Sequence, residues 1–237
     1  MKQELVRINS IDEIEQPGIL YTPNEDTDKI AIHVHGLNGN FYENRFLDID
    51  GVVNWVKEKG YKEIILEWHS YGCNKVLYYY NHKKDDSIKK IVLLTPCDIQ
   101  SEGKKFLSEE EYHKAKEEST RLVQENKENE LIDFSVMANG KIAAGTYFND
   151  FLPNGENDFI RYVDGINGKS EVLNNIDIPT LVIFGDVDEC VLTQPIDVVK
   201  EYLKNNLSNC NIQIIDGADH SYTGKYEELG KIIKNNF

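Results

Sequence analysis

Lys62–Asn74, KEIILEWHSYGCN, carries the first clear mark of this chain's architecture. The apolar run Ile64-Ile65-Leu66 leads through Glu67-Trp68-His69 to Ser70, and a helical pattern resumes at Asn74-Lys75-Val76-Leu77-Tyr78. A strand, a sharp turn and a helix are predicted, with Ser70 at the apex. A serine in that place holds its hydroxyl above the end of a sheet. The first N–H groups of the helix then point toward any negative charge that forms beside it. The position suits a nucleophile, and it equally suits a serine that caps a helix. Residues Trp68 to Gly72 alone allow both readings.

The flanking segments set this turn in a repeating pattern. Lys29–His35 (KIAIHVH) is a β-branched run that ends in the glycine-containing loop Gly36–Asn40, where backbone N–H groups can come close to a substrate. Phe46, Ile49, Val52, Val53 and Val56 fall at helical spacing within Glu43–Lys59, and Gly60 stands where a C-cap belongs. A second helix runs from the Ser70 turn to about Asn81, and Lys89–Leu94 reads as another buried strand ending at Thr95-Pro96. Pro179–Phe184 and Asn211–Ile215 are further strands, separated by a helix over Pro195–Asn205 that proline begins, and Tyr226–Phe237 closes the chain as an amphipathic helix. Strands alternating with helices imply a parallel sheet covered on both faces. Before it, residues 3–9 and 18–22 suggest an antiparallel pair turning at Gln16-Pro17-Gly18.

Residues 101–170 break this rhythm and read as an insertion on a core formed by 1–100 and 171–237. Its first half is a highly charged helix with Ser108 and Glu111 spaced as a capping box. Its second half carries Met137, Tyr147, Phe148, Phe151, Phe159 and Tyr162, which suit a cap over a pocket or the insertion's own core.

Composition narrows the partners. With 41 acidic and 26 basic residues, a net charge of −15 repels phosphate backbones and anionic lipid, so neither nucleic acid nor a membrane surface is expected. No apolar run is long enough to span a bilayer, and MKQELVRINS lacks the apolar segment of a secretory signal. Cys73, Cys97, Cys190 and Cys210 have no C-x-x-C spacing, so reduced thiols and a cytoplasmic location are expected. No cofactor or metal is expected. His33 and His35 share a strand face without a third ligand, and Asp186-x-Asp188-Glu189 lacks the glycine and remaining ligands of a calcium loop.

Ser70, Asp188 and His220 each follow the C-terminal end of a different predicted strand, the edge where doubly wound sheets place their sites. The order Ser, Asp, His is the one used by α/β-hydrolases. The segments HVHGLNGNFYENRF, HSYGCNKVLYYY, IVLLTPCD, VIFGDVDE and GADHSY resemble the α/β-hydrolase superfamily, and within it the small bacterial DUF1749-type, esterase-like members, over almost the whole chain. The resemblance implies Ser70 as nucleophile, His220 as base and Asp188 as the acid that orients it. It also implies Leu37 and Tyr71 as backbone donors to an oxyanion. Asp186 is the alternative acid, disfavoured because Gly185-x-x-Asp188 matches the family spacing, and His69 is the alternative base.

Two departures from the family pattern stand out. Trp68 occupies the usual first glycine of the G-x-S-x-G turn, where an indole would displace the helix or swing toward the pocket, so Trp68→Gly is expected to raise the rate with short esters. Residues 36–69 hold one helix and one strand where the family layout has two helices and an intervening strand, so a sheet strand is missing. Exposed apolar sheet residues and a strand edge, closed by residues 3–22 or by a second copy in a homo-oligomer, are expected to follow. The expected activity is cleavage of a small-molecule carboxylic ester through an acyl-enzyme. The alternative is a catalytically impaired α/β-hydrolase-fold protein that binds a ligand or partner.

Overall fold

A computed structural model describes residues 1–34, 45–134, 140–153, 155–189 and 192–236. Leu37, with its loop, and Met137 and Cys190 lie outside the described residues. The chain opens with an antiparallel hairpin of β1 (Lys2–Asn9) and β2 (Glu15–Thr22), registered Leu5 to Ile19 and Arg7 to Pro17. The turn is therefore at Ser10–Ile14, and the expectation of a turn at Gln16-Pro17-Gly18 is corrected. Ser10 Oγ accepts from the Ile14 N–H at 3.2 Å, and Glu13 takes the left-handed φ of 66°. Pro17 is tolerated inside β2 because a two-stranded ribbon asks for no ladder donor on its outer side.

The main sheet has five parallel strands in the order β3 (Lys29–Val34), β4 (Glu63–His69), β5 (Ile88–Leu94), β8 (Thr180–Gly185) and β9 (Cys210–Ile215). Around it lie α1 (Arg45–Glu58), α2 (Gly72–Lys83), α3 (Ile99–Lys105), α4 (Glu109–Gln124), α5 (Ala144–Phe151), α6 (Glu171–Asn174), α7 (Ile196–Asn206) and α8 (Tyr226–Asn235). The short strands β6 (Leu131–Asp133) and β7 (Lys141–Ala143) pair antiparallel, apart from the main sheet. Among the described residues no helix is long and apolar enough to cross a membrane.

Strand periodicity divides the core into two layers. Ile64, Leu66 and Trp68 of β4 join Ile32, Ile91, Leu93, Val182 and Phe184, packed against Ile49, Val53 and Val56 of α1, Val76 and Leu77 of α2, and Val199 and Leu203 of α7. The opposite face buries Val92, Leu94, Leu181, Ile183 and Ile215 under Tyr222 and the α8 stripe Leu229, Ile232 and Ile233. Each such side chain taken fully out of water contributes roughly 1.5–3 kcal/mol before chain entropy is charged. Helices on both faces of a parallel sheet make the chain doubly wound.

The insertion is not separate in its packing. Phe134, Tyr147 and Phe151 pack ring against ring and belong to the same buried cluster as the β4 residues. Their aromatic rings thus serve the core. The helix α3 runs across the 100/101 position at which the sequence suggests the insertion begins. Ser108 and Glu111 form the capping box, and Tyr112, Ala115, Ser119 and Leu122 make the buried stripe of α4.

Among the described residues β3 is the edge of the sheet, and β1 and β2 pair with each other without extending it. The outward side of β3 and β4 carries cross-strand pairs, with Lys29 Nζ 2.8 Å from Glu63 Oε2 and His33 Nδ1 2.9 Å from Glu67 Oε1. Between those pairs Ala31 is exposed and Ile65 half-buried, so the exposure of apolar sheet residues expected on this side is limited to single positions flanked by charged or polar side chains.

Candidate active site

Ser70 lies one residue past β4, where its own N–H still donates to the Leu94 carbonyl at 2.8 Å and continues the ladder with β5. Its φ is 57°, a left-handed conformation that an L-residue holds only when its surroundings impose it. The next residues enter α2 at once, with the Cys73 N–H donating to Ser70 O and the Asn74 N–H to Tyr71 O. The chain therefore reverses sharply at Ser70.

Trp68 fits this turn without either adjustment expected for it. Its side chain is 1 % exposed and lies on the core side of β4. Gly72 supplies the room: a Cβ there would stand 2.0 Å from Trp68 Cδ1. The second glycine of the turn thus substitutes for the missing first one. Strand and helix can still approach, because the indole fills the space that a side chain at 72 would need.

Two further loops converge on Ser70. The β8 and β9 ends are joined at Gly185, where a Cβ would meet the Ala218 carbonyl oxygen at 2.1 Å. Val187 N–H donates to Ala218 O at 3.3 Å, and Gly217 N–H donates to Asp186 Oδ1 at 2.6 Å. Asp186 is thereby committed to bracing the loops. Asp188, 1 % exposed, receives the His220 Nδ1–H at 3.1 Å and 3.0 Å on its two oxygens. His220 Nε2 lies 3.0 Å from Ser70 Oγ. The three side chains come into one hydrogen-bonded line, Ser70 to His220 to Asp188. Tyr71 follows Ser70 as the residue before α2.

His69 supports this line from behind. Its Nε2–H donates to the His220 carbonyl oxygen at 2.7 Å, and the two rings are 4.7 Å apart. Burial lowers its pKa, so the neutral imidazole is favoured. For His220, burial also acts downward. The Asp188 hydrogen bond and charge, with Glu102 and Asp219 adding to them, outweigh it and raise the pKa above the ordinary 6.5.

Sequence reasoning missed Glu102 on α3. Burial pushes its carboxyl up to about 7, the neighbouring His220 pulls it down, and Asp188 pushes it up again. Nothing in the local pattern around Glu102 marks it, because its neighbours in space come from three separate loops. Its place one helical turn past the Asp98 N-cap, itself just beyond a sheet strand, was the available signal. His33, considered as a metal ligand, is instead paired with Glu67.

Comparison with known proteins adds a family and a set of similar folds. The model of the family described as "Protein of unknown function (DUF1749)" matches residues 42–235. None of the curated proteins matches the chain. Among solved structures, the alpha/beta hydrolase GrgF from Penicillium sp. sh18 is similar with a TM-score of 0.69 at 13 % identity, over 100 % of this chain and 98 % of that one. Est1E from Butyrivibrio proteoclasticus gives a TM-score of 0.62 at 18 % identity, over 98 % and 96 % of the two chains. The Pyrococcus furiosus esterase Pf2001 gives 0.59 at 16 % identity, over 99 % and 89 %. At such identities the likeness is one of fold, which is that of the α/β-hydrolases.

Proposed function

We propose that this chain, which belongs to the DUF1749 family and has the α/β-hydrolase fold, is a serine hydrolase that cleaves carboxylic esters of small or medium-sized molecules through an acyl-enzyme. The observation that carries the reading is the line from Ser70 Oγ through His220 to buried Asp188, with contacts of 3.0–3.1 Å. Ser70 attacks the ester carbonyl while His220 Nε2 takes its proton. Asp188 holds Nδ1–H and stabilises the imidazolium that forms. His220 then returns the proton to the departing alcohol, leaving Ser70 acylated. Water attacks the acyl group by the same steps in reverse, releasing the acid and restoring Ser70.

The N–H groups of Tyr71 and Leu37 are the proposed oxyanion donors, each worth about 3 kcal/mol to the transition state. The Pyrococcus furiosus protein, which shares this fold, is named an esterase, and this supports an ester substrate.

A fluorophosphonate probe tests the reading. Stoichiometric labelling, lost in Ser70→Ala, is expected, together with turnover of p-nitrophenyl esters that Ser70→Ala and His220→Ala both abolish. Folded wild-type protein that takes no label and turns over no ester would instead favour a catalytically impaired binding protein.

A further inference from the structure

Tyr71 and Tyr78 are seven residues apart, two turns of helix, so they lie along one side of α2. Both phenols reach the insertion between β5 and β8. Tyr78 Oη donates to Glu156 Oε1 at 2.6 Å in a partly buried bond. Tyr71 enters a fully buried group: its Oη donates to Asp150 Oδ2, while Asn157 Nδ2 donates to Asp150 Oδ1 and lies 3.4 Å from Tyr71 Oη. Tyr71 is 7 %, Asp150 1 % and Asn157 0 % exposed.

A carboxylate removed from water persists only where donors meet its oxygens, so this arrangement resists rearrangement. It fixes the side chain of the residue that follows the strained Ser70. The peptide between Ser70 and Tyr71 carries the Tyr71 N–H, and its direction depends on the torsions on either side of it. Ser70 is held by β5 through its N–H, and Tyr71 is held by Asp150.

We propose that Asp150 is a positioning residue: through Tyr71 it holds the Ser70–Tyr71 peptide in the direction that an oxyanion requires. The insertion is then a fixed buttress of the nucleophile turn. This rests on the hydrolase reading above and assigns Asp150, Tyr71 Oη and Asn157 a task within it.

The test uses the full chain, p-nitrophenyl butyrate as substrate and an arylboronic acid as mimic of the tetrahedral intermediate. Tyr71→Phe and Asp150→Ala should each lower kcat by about 10- to 100-fold with KM changed by less than about 2-fold, and weaken the boronate in parallel. The double variant should be no worse than the poorer single one, because both remove the same restraint. Asp150→Asn should recover most of kcat, since Asn157 can turn its amide to offer an oxygen to the new NH2. Tyr78→Phe, which breaks the other link, should lower stability and leave kcat alone.

Tyr71→Phe differs only by the hydroxyl, so it decides the matter even if Asp150→Ala does not fold. A kcat within about 2-fold of wild type in folded Tyr71→Phe, or independent and multiplicative losses in the double variant, would overturn the proposal while the hydrolase reading stands. Wild-type protein without esterase activity or fluorophosphonate labelling would overturn both.

Discussion

His220 must be neutral at Nε2 to receive the Ser70 proton, so the pKa of one residue sets where activity begins. That pKa lies above 6.5 because Asp188, Glu102 and Asp219 together outweigh the downward pull of burial. kcat/KM should therefore rise with pH through a midpoint above 6.5, and Glu102→Gln should move that midpoint lower by removing one of the raising charges. Stability has the opposite sense, since the folded chain holds these protons more tightly than the unfolded one. The His220 contribution is complete below 6.5 and is lost as pH rises through the folded value. Glu102 contributes below 4.5 and loses that contribution between 4.5 and about 7. In urea titrations, wild type and Glu102→Gln should converge near about pH 4, and the variant should be the more stable near about pH 8. Asp188→Ala should cost about 10⁴ in kcat, whereas Asp186→Ala, which frees only the Gly217 N–H, should keep most activity. A dead Asp186→Ala variant with an active Asp188→Ala would reverse the assignment of the acid.

At the scale of elements, the turn between β4 and α2 depends on an exchange of bulk. Trp68 takes the space that Gly72 leaves, so the sequence expectation for Trp68→Gly reverses. Removing a fully buried indole opens a cavity and should cost about 3–5 kcal/mol, read as a lower urea midpoint, with no gain in rate. Gly72→Ala should also destabilise, by roughly 1–3 kcal/mol, since its Cβ would overlap the ring. Much of the element order was legible in the chain. The apolar run Ile64-Ile65-Leu66 announces β4, and Ser108 with Glu111 announces α4. The strands β6 and β7 were not legible: three residues each carry too little periodicity. The hairpin turn is hidden in the sequence because Pro17 signals a turn locally, while the ribbon pairing places it in β2.

For the whole molecule, the net charge of −15 makes self-repulsion a general cost. Raising salt from about 10 mM to about 150 mM should lift Tm by about 2–4 °C, the equivalent of about 1 kcal/mol in a chain of this size. A fall in Tm would mean that the exposed pairs, such as Lys29 with Glu63, matter more than the excess charge. The homo-oligomer expected from sequence has the β3 backbone edge as its proposed route, flanked by exposed Ala31 and by the Lys29–Glu63 and His33–Glu67 pairs. Light scattering over a dilution series should show masses above 27.3 kDa if that edge pairs, and 27.3 kDa throughout if it does not.

The doubly wound sheet and the choice of Ser70, Asp188 and His220 can be read from the order of residues along the chain. Apolar periodicity, turn residues and the order of three reactive side chains are local properties of the chain, and the right-handed βαβ connection turns them into one sheet edge. The housing of Trp68, the bracing by Asp186 while Asp188 meets His220, and the approach of Glu102 and Asp150 to the site come from packing in three dimensions. These facts depend on contacts between residues far apart in the chain. Asp150 lies 79 residues from Tyr71, and only close packing of the insertion against α2 brings them within a hydrogen bond.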